Sequence, residues 1–282
     1  MFRLTTMVSA LLLMFFGTTP CVSETVDVNG VELHYTIHGD GPPLLLLHGY
    51  GGTGDRTWKH LLPKFKPHFQ LIVPDLRGHG RSSFTKDNFT HRQAAKDVLA
   101  LLDQLEISST SAIGNSTGAM TLLHVATIAP ERVKSMVLNS ATTHFPESAR
   151  AIMETVKDDG KSALGDYFAD ERMTEVHKLG PKQHEWLRSS FREMKDDRTD
   201  MNFDQRALSK ISASTLIVHG DRDQFFPIEI PVTLYKNIPH SKLWIVPGQD
   251  HNAAWDPNSE SRILEPWPWV SICLWHLKDG VE

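Results

Sequence analysis

The strongest constraint on the fold is a run of four leucines, Leu44–Leu47, with no polar residue among them. Side chains of a strand point to opposite faces in turn, so a wholly apolar run asks for cover on both faces. Softer versions of the same signal occur at Leu71–Val73, Ser111–Gly114, Ser135–Leu138, Thr215–Val218 and Leu243–Val246. Between them lie residues at helical spacing: Trp58, Leu61, Leu62 and Phe65, then Ala95, Val98, Leu99, Leu102 and Leu105. Ala119–Ile128 and Ile228–Tyr235 have the same periodicity. Upstream, the segment from Thr25 to His38 alternates apolar and polar residues about Asn29-Gly30. That pair suits a two-residue hairpin, because both turn positions want positive φ. Taken together these signals predict an α/β fold, a mostly parallel eight-stranded sheet with helices on both faces.

One stretch breaks the alternation. Residues 143–210 hold no strand-like run, only helical periodicity such as Trp186, Leu187, Phe191 and Met194. The stretch is too long for an ordinary crossover. It reads as a helical cap inserted into a core made of residues 24–142 and 211–282. Residues 1–23 stand apart from both. A positive start at Arg3, an apolar run Met7–Gly17 and small residues at Cys21 and Ser23 read as a secretory signal peptide cleaved after Ser23. The run is too short for a spanning helix, which needs about 20 apolar residues; an uncleaved anchor is the alternative. The protein is thus expected to be exported, periplasmic or secreted, with no membrane attachment once the signal is gone.

Charge and cysteine usage narrow the function classes. A formal net charge of −5 leaves no basic footprint for nucleic acid. Cys21 and Cys273 are the two cysteines, too few for a thiolate zinc site, and signal removal would leave a single thiol. No H-E-x-x-H motif exists, so a metal site has no sequence support.

In open α/β sheets ligands bind at the carboxyl ends of the strands, and four strand ends carry suggestive residues. After Ser111–Gly114 comes Gly114-Asn115-Ser116-Thr117-Gly118, a G-x-S-x-G match followed by a helix. Such a turn lifts the serine hydroxyl off the sheet, near a positive helix N-terminus. The bland reading makes Ser116 a helix N-cap. After Leu44–Leu47 comes His48-Gly49-Tyr50-Gly51-Gly52. One reading is an oxyanion loop, with the backbone N–H groups of Tyr50 and Thr117 aimed at a developing negative oxygen. The rival is a dinucleotide fingerprint, since Gly49–Gly54 reads GYGGTG and Asp75 follows at the ribose-contact spacing. Pro74 and the turn-like Arg-Gly-His-Gly-Arg-Ser after Leu76 count against that rival, as does the preceding hairpin. After Thr215–Val218 comes His219-Gly220-Asp221-Arg222-Asp223, and after the last strand Pro247-Gly248-Gln249-Asp250-His251. A serine nucleophile needs a base and a carboxylate to orient it, and these two loops supply both in the order Ser, Asp, His.

The chain at this point resembles the α/β-hydrolase family, in particular cap-bearing esterases, lactonases and non-haem haloperoxidases. The resemblance rests on HGYGG at His48–Gly52, DLRGHGRS at Asp75–Ser82, GNSTG at Gly114–Gly118, GDRDQFFP at Gly220–Pro227 and GQDH at Gly248–His251. It implies Ser116 as nucleophile, Asp223 as acid and His251 as base. It also implies Tyr50 and Thr117 as oxyanion donors and no metal or organic cofactor. Asp223 is preferred over Asp221 because Pro227 follows it at the family's usual spacing, and over Asp250 because a residue adjacent to His251 rarely points back at its ring. Two departures stand out: Asn115 precedes the nucleophile where the family often has His, and the Pro266-Trp267-Pro268-Trp269 tail would delay the last helix. His48 and His79 are expected to brace loops, Asp75 and Arg77 to pair or hold their turn, and Trp255, Trp267, Trp269 and Trp275 to pack.

The expected activity is hydrolysis of a small-molecule carboxylic ester or lactone through an acyl-enzyme. Cleavage of a C–C bond in a β-diketone would use the same parts. A hydrolase-fold binding protein without turnover is the rival from another class.

Overall fold

The computed structural model describes residues 22–251 and 266–279. Eight strands form one sheet: β1 (Val22–Val28), β2 (Val31–His38), β3 (Pro43–Leu47), β4 (Gln70–Pro74), β5 (Thr110–Asn115), β6 (Val133–Asn139), β7 (Ser214–Gly220) and β8 (Ser241–Val246). Their spatial order is β1-β2-β4-β3-β5-β6-β7-β8. β1 and β2 pair antiparallel, as do β2 and β4, while every other pairing is parallel. The hairpin closes with Val28 opposite Val31, and Asn29 and Gly30 take φ of 47° and 80°. β1 begins at Val22, so cleavage after Ser23 would still leave Glu24–Val28 paired along β2. The apolar segment Met7–Gly17, Cys21 and Trp255 lie outside the described residues, as does the Trp267 side chain.

The helices are α1 (Gly54–Trp58), α2 (Leu62–Phe65), α3 (His91–Gln104), α4 (Thr117–Ile128), α5 (Glu147–Glu154), α6 (Asp170–Val176), α7 (Pro181–Glu193), α8 (Gln205–Leu208), α9 (Glu229–Asn237) and α10 (Pro266–Asp279). The four leucines explain why helices are needed on both sides. Leu44 and Leu46 pack with Val137, Val218, Trp58, Phe65 and Trp269, whereas Leu45 and Leu47 pack with Ile72, Leu138, Val98, Leu122 and Leu234. All four leucines are fully buried. Removing each from water is worth about 1.5–3 kcal/mol, which an uncovered face would forfeit.

Three local expectations need correction. The Trp58–Phe65 periodicity belongs to two short helices, not one. Pro63 falls in the first turn of α2, where no backbone donor is required, and cannot continue a helix from α1. Asp75 and Arg77, by contrast, hold their turn as expected, through other partners rather than each other. Asp75 lies 3.3 Å from His34 and accepts from the Gly54 and Arg81 amides, while Arg77 forks onto buried Asp97 of α3. Trp269 is buried edge-on to Phe65, but Trp275 is 54% exposed, with the Lys242 ammonium 4.1 Å from its ring centroid. The prolines of the tail sit in the first turn of α10, which starts at Pro266 itself.

Residues 143–210 contain α5 to α8 and no strand. They leave the sheet after β6 and return to its neighbour β7. A lone antiparallel bridge, His144 to Asn202, joins the two stems, and the Phe203 amide donates to Thr143 O at 3.0 Å.

Candidate active site

The turn between β5 and α4 is built around one strained residue. Ser116 adopts φ 49° and ψ −114°, a region that bulky L-residues avoid and that costs on the order of 1–3 kcal/mol. Its side chain makes no capping hydrogen bond, so the N-cap reading fails. The backbone is held instead: Ser116 N–H donates to Asn139 O at 2.8 Å, and Met120 N–H donates to Ser116 O at 2.9 Å. The flanking glycines are needed for space. A Cβ on Gly118 would sit 2.2 Å from Leu47 O, and one on Gly114 would sit 2.5 Å from the Ala119 amide nitrogen.

The freed hydroxyl meets a histidine from the other end of the chain. His251 Nε2 lies 2.9 Å from Ser116 Oγ, and its Nδ1 lies 2.7 Å from Asp223 Oδ2. The Asp223 side chain is fully buried, yet its carboxyl is held below the ordinary carboxylate range. Burial alone would raise it, but the His251 hydrogen bond, the nearby His251 and His219 rings and the Phe226 amide outweigh that. Oδ1 accepts from the Phe225 and Phe226 amides at 2.8 and 3.1 Å. The rings of those phenylalanines flank His251 at 4.6 and 5.1 Å, and Ser140 Oγ donates to His251 O at 2.6 Å. Asp221 serves elsewhere, accepting from the Gly248 amide at 2.6 Å.

The HGYGG loop stands opposite. Gly49 O accepts from the Gly52 amide at 3.1 Å and faces His48 Nδ1 at 2.8 Å. Leu76 N–H donates to His48 Nε2, which fixes the tautomer that protonates Nδ1. A trans peptide directs its C=O and N–H oppositely, so the Tyr50 N–H is turned away from that bond pair. Burial keeps His48 neutral by lowering its pKa. His48 therefore braces, as does His79, whose Nδ1 lies 2.9 Å from Arg77 O. The dinucleotide reading loses its acidic residue: Asp75 is 4% exposed, with both carboxylate oxygens engaged by backbone amides, Gly54 of the supposed fingerprint included.

Ser116, His251, Tyr50 and Thr117 line one cavity of about 390 Å³. Its apolar wall comes largely from the insertion, with Phe145, Met153, Leu164, Phe191 and Met194, and from Met120 and Phe225. The sequence did not single out these wall residues, apart from the Phe191–Met194 periodicity. It also passed over His219 and Ser140, which contact Asp223 and His251. GDRDQFFP did display the two phenylalanines directly after Asp223; Ser140 carries no local signal. Asn115, in place of the family's usual His, accepts from Asn139 Nδ2 at 2.9 Å and also lines the cavity. Among the described residues, no group of three or more His, Cys, Asp or Glu side chains could hold a metal ion.

A family model described as alpha/beta hydrolase fold matches residues 42–180. The mouse protein serine hydrolase BPHL is 30% identical over 246 residues, covering 84% of this chain and 82% of the mouse protein. The 2-hydroxymuconate semialdehyde hydrolase of Pseudomonas sp. strain CF600 is 26% identical, covering 80% and 86%. Among solved structures, the meta-cleavage product hydrolase of Pseudomonas fluorescens IP01 superposes with a TM-score of 0.72 at 20% identity, over 91% of this chain and 98% of that one.

Proposed function

This chain belongs to the α/β hydrolase fold family and is a hydrolase, and on that premise we propose that it cleaves a carboxylic ester or lactone through an acyl-enzyme. The observation that carries the reading is the continuous relay from Ser116 Oγ through His251 to buried Asp223 at the edge of an apolar cavity. Ser116 attacks the carbonyl carbon while His251 takes the hydroxyl proton, and Asp223 stabilises the imidazolium that forms. The Tyr50 and Thr117 amides receive the oxyanion; losing one such donor typically costs about 10²–10³ in rate. His251 then protonates the leaving alcohol and activates the water that frees the acid.

The cavity wall favours uncharged acyl groups. Among the described residues lining it there is no lysine or arginine, so a substrate carboxylate would enter an apolar site without a cation. C–C cleavage of a β-diketone is the second reading, favoured by the similarity to a semialdehyde hydrolase. Residues 143–210 act in this scheme as a cap that sets substrate choice. Residues 1–23 act as an export signal, so that the enzyme works in the periplasm or outside the cell.

Turnover of p-nitrophenyl butyrate, abolished by Ser116→Ala, tests the scheme. Labelling by a serine-directed phosphonate should fall on Ser116 alone. Full activity in the Ser116→Ala protein would end the acyl-enzyme reading, and no turnover of any ester, lactone or diketone by the wild type would favour a binding protein.

A further inference from the structure

The oxyanion loop is gripped by the insertion at several points. Tyr167, in a 3-10 turn at Gly165–Phe168, donates its hydroxyl to Tyr50 O at 2.5 Å. Arg172 of α6 lies over the Tyr167 ring at 3.9 Å, donates to Tyr167 O at 2.8 Å and donates to Gly51 O at 3.1 Å. The Tyr50 hydroxyl runs the other way and donates to Leu187 O in α7 at 2.8 Å. The peptide before Tyr50 Cα is thus fixed through Gly49 O by the Gly52 amide and His48, and the peptide after it through Tyr50 O by Tyr167. With both flanking peptides pinned, the Tyr50 N–H has one direction.

We propose that Tyr167 is a positioning residue for the oxyanion hole, seating the Tyr50 amide so that the hole is complete only when the insertion is docked. This rests on the acyl-transfer reading and on Tyr50 N–H as an oxyanion donor. Gly51 has φ +66°, so this part of the loop uses a conformation that most side chains resist and is an apt place for an external tie. Tyr167 is half-buried and lines the cavity, but its hydroxyl is committed to Tyr50 O, so it acts through the loop. Arg172 secures the tyrosine and the next carbonyl together.

Tyr167→Phe keeps the ring and deletes the tie. Removal of an oxyanion donor costs about 10²–10³, so its misorientation is expected to lower kcat about tenfold, with KM within about twofold. The inhibition constant of a trifluoromethyl ketone, which forms a tetrahedral oxyanion on the serine, should rise by the same factor. Binding of an uncharged ester to the Ser116→Ala protein should not change when Tyr167→Phe is added. Arg172→Gln, which leaves the tyrosine in place, should shift kcat and ketone affinity in the same direction by less, and serves if Tyr167→Phe folds poorly. Unchanged kcat and ketone affinity in both variants would overturn the positioning role, as would a rise in KM alone. A wild type that neither turns over esters nor binds the ketone would overturn the acyl-transfer reading itself, and this inference with it.

Discussion

Replacing Asp223 by Asn isolates the charge of the acid, because the two side chains share a shape. In the native site Oδ2 faces His251 Nδ1 at 2.7 Å, and Oδ1 takes the Phe225 and Phe226 amides. An asparagine keeps those amides only by placing its carbonyl there, which sets its NH₂ against Nδ1. Nδ1 must then accept, and the ring proton moves to Nε2, the nitrogen 2.9 Å from Ser116 Oγ. The base is blocked and the imidazolium loses its counter-charge. The same substitution in a serine-protease triad costs about 10⁴ in kcat, so a loss of about 10⁴ is expected here, about 5 kcal/mol of barrier. Asp221→Asn is the control. Its acceptor for the Gly248 amide survives the change, so kcat should stay within about twofold, as for an ordinary surface substitution. Steady-state kinetics with p-nitrophenyl butyrate, beside thermal melting of both proteins, reads the comparison. If Asp221→Asn proves the crippled variant, or Asp223→Asn keeps a tenth of wild-type kcat, the argument from tautomer and charge is wrong.

Stability should fall in mild acid. Burial lowers His124 to about 4 and His177 to about 3, so the unfolded chain takes up protons first once the pH drops below about 6.5. Each histidine then withdraws about 2 kcal/mol by pH 5, and urea midpoints that match at pH 7.5 and pH 5 would contradict this. Phe145→Leu or Phe191→Leu should shift the preference among acyl-chain lengths about tenfold, since pocket methylenes discriminate by about 1–3 kcal/mol, while lowering the melting temperature by only a few degrees for the apolar packing lost; an unshifted profile would remove the selective role of residues 143–210. Amino-terminal sequencing of exported protein should begin near Glu24, and a full-length cytosolic product would refute the export proposal.

The geometry of the site was legible in the sequence because each of its groups sits at the end of a strand with its own local signature. Gly114-Asn115-Ser116-Thr117-Gly118 announces both the turn and its serine, and Pro227 helps to choose Asp223 over Asp221 as the partner of His251. What the sequence hid depends on approach in space. Arg77 reaches Asp97 in α3 and Asp75 reaches His34 in β2, partners that no spacing rule links. Leu164 and Met153 carry no signal in the sequence; only the folding of the insertion over Ser116 turns them into a cavity wall. Likewise Tyr167 is one tyrosine among four until its hydroxyl is seen on Tyr50 O.

The neck of the insertion has a consequence for how such enzymes diversify. The stems meet at the His144–Asn202 bridge beyond the end of β6, and α8 then carries the chain back to the start of β7, where Ser214 pairs with Ser135. The bridged residues are a strand spacing apart, about 5 Å, whatever lies between them. A foreign segment with ends that meet could be grafted there without re-threading the sheet, and if the insertion sets substrate choice as proposed, substrate range would become an exchangeable cassette. The Tyr50 carbonyl limits the exchange. A donor segment that brings no hydroxyl to that oxygen would inherit the nucleophile and its relay but a slack oxyanion loop, so grafts should be chosen for that contact before their pocket shape.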